Sequence, residues 1–360
     1  MSTNGTLDME KAGAFASKVL GDVTAGQMGT LIALADRLGL WRHLAAGGPA
    51  TSAAFAARAG IAERYAREWL SAMACHGYVA YDDATKAFAL PPERAFVLAD
   101  ADSPFYLASV FPMLRSYWAN LDLLTAAFTT GGGVPQDAYG ADWLCGFERF
   151  TRPGFRNNFA RDWVPALPAA DAALRAGGSV ADIGCGNGQA LLFLARGYPD
   201  ATLVGYDAYP PAIEAANANA AAAGLADRVR YAVCDATAGI PGQFDLITTF
   251  DVVHDMPRPR PALAAIRRAL KPDGTYFMQE FNFSGDLQAN IDHPLGIGAF
   301  GYAASANYCL TQALAAGGEG TGTCMGEAKA RELAAAAGFT HFRRLDFPQN
   351  PFNLFYEIRN

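Results

Sequence analysis

No run of apolar residues in this chain approaches the roughly 20 needed to cross a bilayer, so no membrane-spanning role is expected. Metal-binding patterns are missing too. Cys75, Cys145, Cys185, Cys234, Cys309 and Cys324 stand far apart, with no CxxC pair and no histidine at ligand spacing. That argues against a zinc site or a disulfide framework and for reduced thiols. Cations are outnumbered: Lys and Arg total 28 against 35 Asp and Glu, a net charge of -7. A protein built to grip phosphate backbones needs the opposite balance. The opening MSTNGTLDMEKAGAF has no basic segment followed by an apolar one, so secretion is not expected and the cytoplasm is the anticipated compartment.

What is present suits two soluble domains, since 360 residues can bury two cores. From Gly29, the residues Leu31, Ile32, Leu34, Leu38 and Trp41 recur at helical spacing. TSAAFAARAG predicts a second helix capped by Thr51, and AERYAREWLSAM a third. GYVAYDDATKAFAL then reads as two short strands around an Asp-Asp turn, completing the order of a winged helix. A DNA-binding winged helix needs a basic third helix and wing, yet Ala25 to Asp100 carries seven Lys or Arg against seven Asp or Glu. Residues 1–100 are therefore expected to dimerise rather than to bind nucleic acid. Residues 101–176 form a connector and substrate cap, in which SPFYLASVFPMLRSYWANLDLLTAAF predicts a buried helix or helix pair before GGGVP interrupts it.

Residues 177–360 read differently. Short apolar runs, SVADIGC, ATLVGYDA, RVRYAVCDA, FDLITTFDVV and GTYFMQE, alternate with alanine-rich helical segments, which predicts an α/β fold with helices on both faces of a mostly parallel sheet. EAKARELAAAAGF, HFRRLDF and NLFYEIRN add a helix and a closing strand pair. In VADIGCGNGQA a strand ends at Asp182 and runs into Gly184, Gly186 and Gly188, which permit a tight turn and close backbone approach to a ligand. The pyrophosphate fingerprint would place glycine where Gln189 stands, which counts against NAD or FAD. Asp207 ends the second strand, where a carboxylate can accept from both ribose hydroxyls, and Asp235 ends the third, within reach of an adenine amino group.

With these motifs in order the chain resembles the class I S-adenosylmethionine-dependent methyltransferases, which have a Rossmann-like sheet. By that resemblance, S-adenosylmethionine is the cofactor and S-adenosylhomocysteine the product. Asp182, Gly184, Gly186, Asn187 and Gly188 match the first motif, Asp207 and Ala208 the ribose-binding segment, Asp235 and Ala236 the adenine pair, and Phe250 and Asp251 the fourth motif. With a winged-helix front, the chain is similar to bacterial small-molecule methyltransferases, among them a mycobacterial group, and more distantly to O-methyltransferases. A homodimer through the first domain is implied.

The O-methyltransferase resemblance also implies a catalytic base at His254, in VVHDM, held by a carboxylate at Glu280. Chemically this is apt, because a hydroxyl acceptor must lose a proton and an oriented imidazole can take it. His254 can equally line the cofactor pocket or cap a helix. The family's second flanking carboxylate has no counterpart near Gly322 to Met325. His293, Phe300 and Tyr302, in the segment before the last helix, and Arg156 and Trp163, just before the first motif, are candidate acceptor contacts. Two alternatives stand beside O-methylation: N- or C-methylation by proximity alone, and an S-adenosylmethionine-sensing winged-helix regulator that binds DNA.

Overall fold

The computed structural model describes residues 7–360. The chain divides into two units, Met1–Arg115 and Ser116–Asn360. The first begins with helix α1 (Met9–Leu38), whose start is fixed by Asp8 accepting from the amides of Glu10 and Lys11 and whose end is fixed by Gly39 at φ 67°. It starts twenty residues before the periodic stretch does, because only its last part is buried, at Met28, Ile32 and Ala35. Helices α2 (Leu40–Gly47), α3 (Ser52–Ala59) and α4 (Glu63–Cys75), the hairpin β1 (Ala80–Asp82) and β2 (Ala87–Ala89), and α5 (Pro92–Leu98) complete the winged-helix order. Thr51 caps α3, its hydroxyl accepting from the Ala54 amide. Trp41 and Phe55 pack on Trp69 with ring centroids 5.0 and 5.8 Å away, so three rings staple α2, α3 and α4 together.

Helices α6 (Val110–Ala119) and α7 (Leu121–Thr130) occupy the stretch expected to be a buried pair. The pair forms, but it is buried on one side only: Met113, Ser116, Asn120 and Ala127 are covered, while Trp118 and Phe128 are 73% and 75% exposed. The segment is apolar around most of its circumference, and a helix resting on one neighbour covers only one side. Gly133 follows where a Cβ would stand 1.9 Å from the Thr311 carbonyl oxygen, so this close approach requires glycine.

In the second unit α8 (Gly140–Gly154) runs into a π-helical stretch, Phe155–Trp163, and then α9 (Pro168–Arg175). The sheet comprises β3 (Ser179–Ile183), β4 (Thr202–Asp207), β5 (Val229–Val233), β6 (Phe244–Phe250), β7 (Leu270–Phe281), β8 (His341–Leu345) and β9 (Asn353–Arg359). Their spatial order is β5-β4-β3-β6-β7-β9-β8, parallel except for β9, which runs antiparallel to both neighbours. Alternation along each strand divides the core in two. Val180, Leu246, Phe277 and Phe355 face one layer, with α10 (Gln189–Gly197) and α11 (Pro210–Ala222) over it. Ala181, Ile247, Tyr276 and Tyr356 face the other, under α12 (Pro259–Ala269) and α16 (Gly326–Ala336). Between β7 and α16 come α13 (Leu287–Ile291), α14 (Gly298–Ala304) and α15 (Leu310–Ala315). β3 and β6 lie side by side with the strand order reversing between them, the switch point where such sheets bind ligands. No helix among the described residues is long and apolar enough to cross a membrane.

Candidate functional site

At the carboxyl ends of β3, β4 and β6 a cavity of about 590 Å³ opens within the second unit. Its floor is the glycine loop. Gly184 (φ 72°), Gly186 (φ 50°) and Gly188 (φ 78°) all take left-handed backbone. A Cβ on Gly184 would meet Val252 at 2.6 Å, and one on Gly188 would meet the Tyr231 ring at 2.5 Å. Asp182, Gly184, Gly186 and Asn187 line the cavity, and Gly188 stands behind the wall, its carbonyl accepting from the Tyr231 hydroxyl at 2.6 Å. Ala208, Ala236, Phe250 and Asp251 line it as well.

Each acidic strand end is held differently. Asp182 accepts from the Thr248 hydroxyl at 2.7 Å. Burial pushes its carboxyl up to about 7, against the Thr248 bond and with help from Asp207. The two oxygens of Asp207 accept from the amides of Gly186 and Tyr209, both at 2.9 Å, so this carboxylate ties the glycine loop to the end of β4. Burial raises its pKa while those amides pull it back. Lone pairs remain on both oxygens for two further donors. Asp235 accepts from the Thr237 amide and lies 3.4 Å from Arg258, whose guanidinium also donates to the Thr237 hydroxyl at 2.8 Å. The Thr237 bond chiefly keeps the Asp235 carboxyl below its ordinary value. Asp251 sits at φ 56°, a strained conformation for a side chain-bearing residue, and accepts from Gln279 and Asn353 at 2.9 Å each. That brace joins β6 to β7 and β9, and burial pushes the Asp251 carboxyl up to about 8, with the charge of Glu280 adding to the shift.

The helical segment ahead of the sheet supplies the opposite wall with Trp143, Leu144, Phe147, Glu148 and Thr151, while Tyr308 comes from the π-helical stretch Ser305–Cys309 before α15. Tyr308 and Trp143 stack with centroids 3.5 Å apart. Sequence reasoning passed over these aromatics, and their helical spacing alone does not distinguish a cavity wall from core.

His254 and Glu280 meet. The imidazole Nδ1 is 2.5 Å from Glu280 Oε2, and the other Glu280 oxygen accepts from the Val253 amide at 2.9 Å. His254 is 1% exposed and does not line the cavity; the residues around it that do are Val252, Asp255 and Met256. Burial alone would favour the neutral ring, but Glu280 and then Cys309 outweigh it and raise the imidazole well above its ordinary value.

The five candidate acceptor contacts lie off the cavity wall. Trp163 is core, packed against Phe250, Phe277 and Phe355. Arg156 is exposed on the same π-helical stretch. His293 has both ring nitrogens engaged by backbone, Nε2 with the Asn282 carbonyl at 2.9 Å and Nδ1 accepting from the Leu295 amide at 3.2 Å, so it closes a loop. Phe300 and Tyr302 are 46% and 39% exposed, Tyr302 meeting Asn290 at 3.1 Å. Among the described residues no cluster of His, Cys, Asp or Glu could hold a metal ion.

Residues 174–313 match a family described as a methyltransferase domain, and residues 26–100 match the Rv2258c-like winged HTH domain. The chain carries a methyltransferase domain behind a winged-helix domain. Its relatives include an uncharacterized methyltransferase of Synechocystis sp., 32% identical over 122 residues, and a ubiquinone biosynthesis O-methyltransferase of Methylococcus capsulatus, 33% identical over 110. These matches take in 32% and 30% of the chain and 53% and 46% of the relatives, so the chain spans about half the length of the curated proteins it matches. Solved structures extend the likeness of fold over both domains. A candidate O-methyltransferase from Nostoc punctiforme superposes with a TM-score of 0.73 at 20% identity, covering 96% of this chain and 99% of that one. Human N-acetylserotonin methyltransferase, solved with S-adenosylmethionine, gives a TM-score of 0.65 at 18% identity, covering 100% and 99%. The methyltransferase domain therefore sits in a two-part architecture shared along nearly the whole chain.

Proposed function

We propose that this protein transfers a methyl group from S-adenosylmethionine to oxygen on a small, neutral or cationic aromatic acceptor. One observation carries the reading: a single cavity has nucleoside-binding chemistry at one end, in Asp207, Asp235 and the glycine loop, and aromatic side chains at the other. When bound, the cofactor supplies an electrophilic methyl on sulfur. The chain's own work is to hold Asp207 for the ribose, Asp235 for the adenine edge and the loop amides for the nucleoside, and to confine the acceptor behind that methyl. Six carboxyl groups line the cavity, Glu148, Asp182, Asp207, Asp235, Asp251 and Asp255, and Arg258 is its one cation among the described residues. Several of these carboxyls are raised by burial, and those that ionise would repel a carboxylate or phosphate acceptor. The helical segment from Trp143 to Thr151 acts as the acceptor cap.

The reading is tested by calorimetry with S-adenosylhomocysteine, followed by transfer of labelled methyl from S-adenosylmethionine to small phenols. Binding in the micromolar range and labelled phenol ether are expected; no binding would overturn it. We also infer that the protein works as a cytoplasmic homodimer through the first unit, where Met9, Phe15, Leu20 and Val23 of α1 are exposed. Light scattering should give twice the chain mass, and a monomer at micromolar concentration refutes the inference.

A further inference from the structure

Helix α8 presents one stripe to the cavity: Trp143, Leu144, Phe147, Glu148 and Thr151 recur at three- and four-residue spacing, and each of them lines it. Four of these suit a wall against an aromatic ligand. The fifth, Glu148, is a carboxyl on a partly buried helix face, which is costly unless a partner meets it. Arg152, one turn on, is the ordinary partner at that spacing. Among the described residues, however, no hydrogen bond or ion pair joins Glu148 to it or to any other donor, and Arg152 does not line the cavity.

The other polar groups at the cavity have work of their own. The Thr151 hydroxyl donates back to the carbonyls of Phe147 and Glu148 at 3.2 and 3.3 Å. Asp182, Asp207, Asp235 and Asp251 accept from protein donors, and Asp255 stands across the cavity on the turn after β6. Glu148 alone, among the described residues, brings an unbonded carboxyl into the aromatic wall. Its surroundings define the donor it awaits. Phe147, Trp143 and Tyr308 stack in series with centroids 5.2 and 3.5 Å apart, and Phe155 extends the wall to Phe250 at 4.8 Å. Ring surface strips water from a ligand, yet its π electrons still attract a cation. Rings beside a carboxylate are therefore chemistry that recognises an organic ammonium or a protonated ring nitrogen.

We propose that Glu148 determines acceptor specificity by holding a cationic nitrogen carried on the aromatic acceptor. The inference rests on the methyltransferase reading and narrows its acceptor to the cationic class. The nitrogen is the handle and the methylated oxygen a separate group, because a protonated amine has no lone pair with which to attack the methyl carbon. Burial raises the Glu148 carboxyl above its ordinary value, while Arg152 and then Arg149 lower it. A bound cation acts in the same sense as those arginines and favours the ionised form.

Full-length protein saturated with S-adenosylhomocysteine is titrated by calorimetry near neutral pH with dopamine, ethylcatechol and dihydroxyphenylacetate, which share a ring and differ in charge. Wild type should bind dopamine at least about tenfold more tightly than ethylcatechol, and the acid most weakly. Glu148→Gln should erase that preference while changing the affinities for ethylcatechol and S-adenosylhomocysteine by less than about threefold, and Glu148→Asp should restore part of it. Glu148→Ala serves the same comparison if the glutamine variant does not fold. Equal binding of dopamine and ethylcatechol by wild type, or a preference that survives in Glu148→Gln, overturns the proposal. So does a parallel loss of all three ligands in Glu148→Gln, which is the mark of a residue that only shapes the wall. A wild type that does not bind S-adenosylhomocysteine refutes the methyltransferase reading instead.

Discussion

Asp207→Ala is expected to lose at least about 100-fold in affinity for S-adenosylhomocysteine while keeping its fold. The carboxylate does two jobs at once. Its oxygens accept the amides of Gly186 and Tyr209 at 2.9 Å, and their remaining lone pairs are the ones we propose for the ribose hydroxyls. A hydrogen bond to a charged partner contributes about 1.5–3 kcal/mol, so two lost ribose bonds amount to about 3 kcal/mol or more, or two decades in affinity. The loop then loses its anchor as well. Asp207→Asn separates these effects, because the amide oxygen can still accept from one backbone amide while the charge is gone. It should retain more loop order than the alanine variant and still bind at least tenfold more weakly than wild type. Calorimetry measures both, and circular dichroism checks the fold. Wild-type affinity in the alanine variant would remove the ribose site from β4.

The glycine-and-acid lining of this cavity was legible in the sequence because its determinants are local. A strand that closes on an acid and turns through glycines constrains its own backbone: Asp182 is the next-to-last residue of β3, Asp207 ends β4 and Asp235 stands two residues beyond β5, all at the cavity. The acceptor half was not legible, for reasons of side-chain direction. Trp163 belongs to a π-helical stretch, whose faces do not follow the 3.6-residue period on which sequence reading depends, so its burial among Phe250, Phe277 and Phe355 carried no signal. His293 looked available because the backbone groups that occupy its ring, at Asn282 and Leu295, are invisible in composition. His254 was found with its partner, yet whether it or its neighbour faces the ligand depends on a single turn pinned by Gln312 and Gly322, remote in sequence. α6 and α7 show the same limit from the other side: periodicity gave the helices and could not say which apolar side chains would be covered.

Glu280→Ala is expected to destabilise the methyltransferase domain by about 3–5 kcal/mol, the range for removing one partner of a buried ion pair. Both Glu280 oxygens are committed, one to His254 Nδ1 and the other to the Val253 amide, and the residue is 3% exposed, so water cannot replace either bond. Glu280→Gln should cost less, since an amide oxygen can still accept from Val253. The pH dependence separates charge from shape. With its pKa raised in the folded state, His254 contributes stability that is fully present below the unfolded value of about 6.5 and is lost as pH rises through the folded value. Wild type should therefore lose stability from this pair as pH climbs above neutrality, and both Glu280 variants should lack that alkaline decline. Urea unfolding of the second unit, followed at several pH values, reads both effects. Parallel pH profiles for wild type and Glu280→Gln would mean that the imidazole is neutral in the fold. Its Nε2 would then carry a lone pair able to accept a proton.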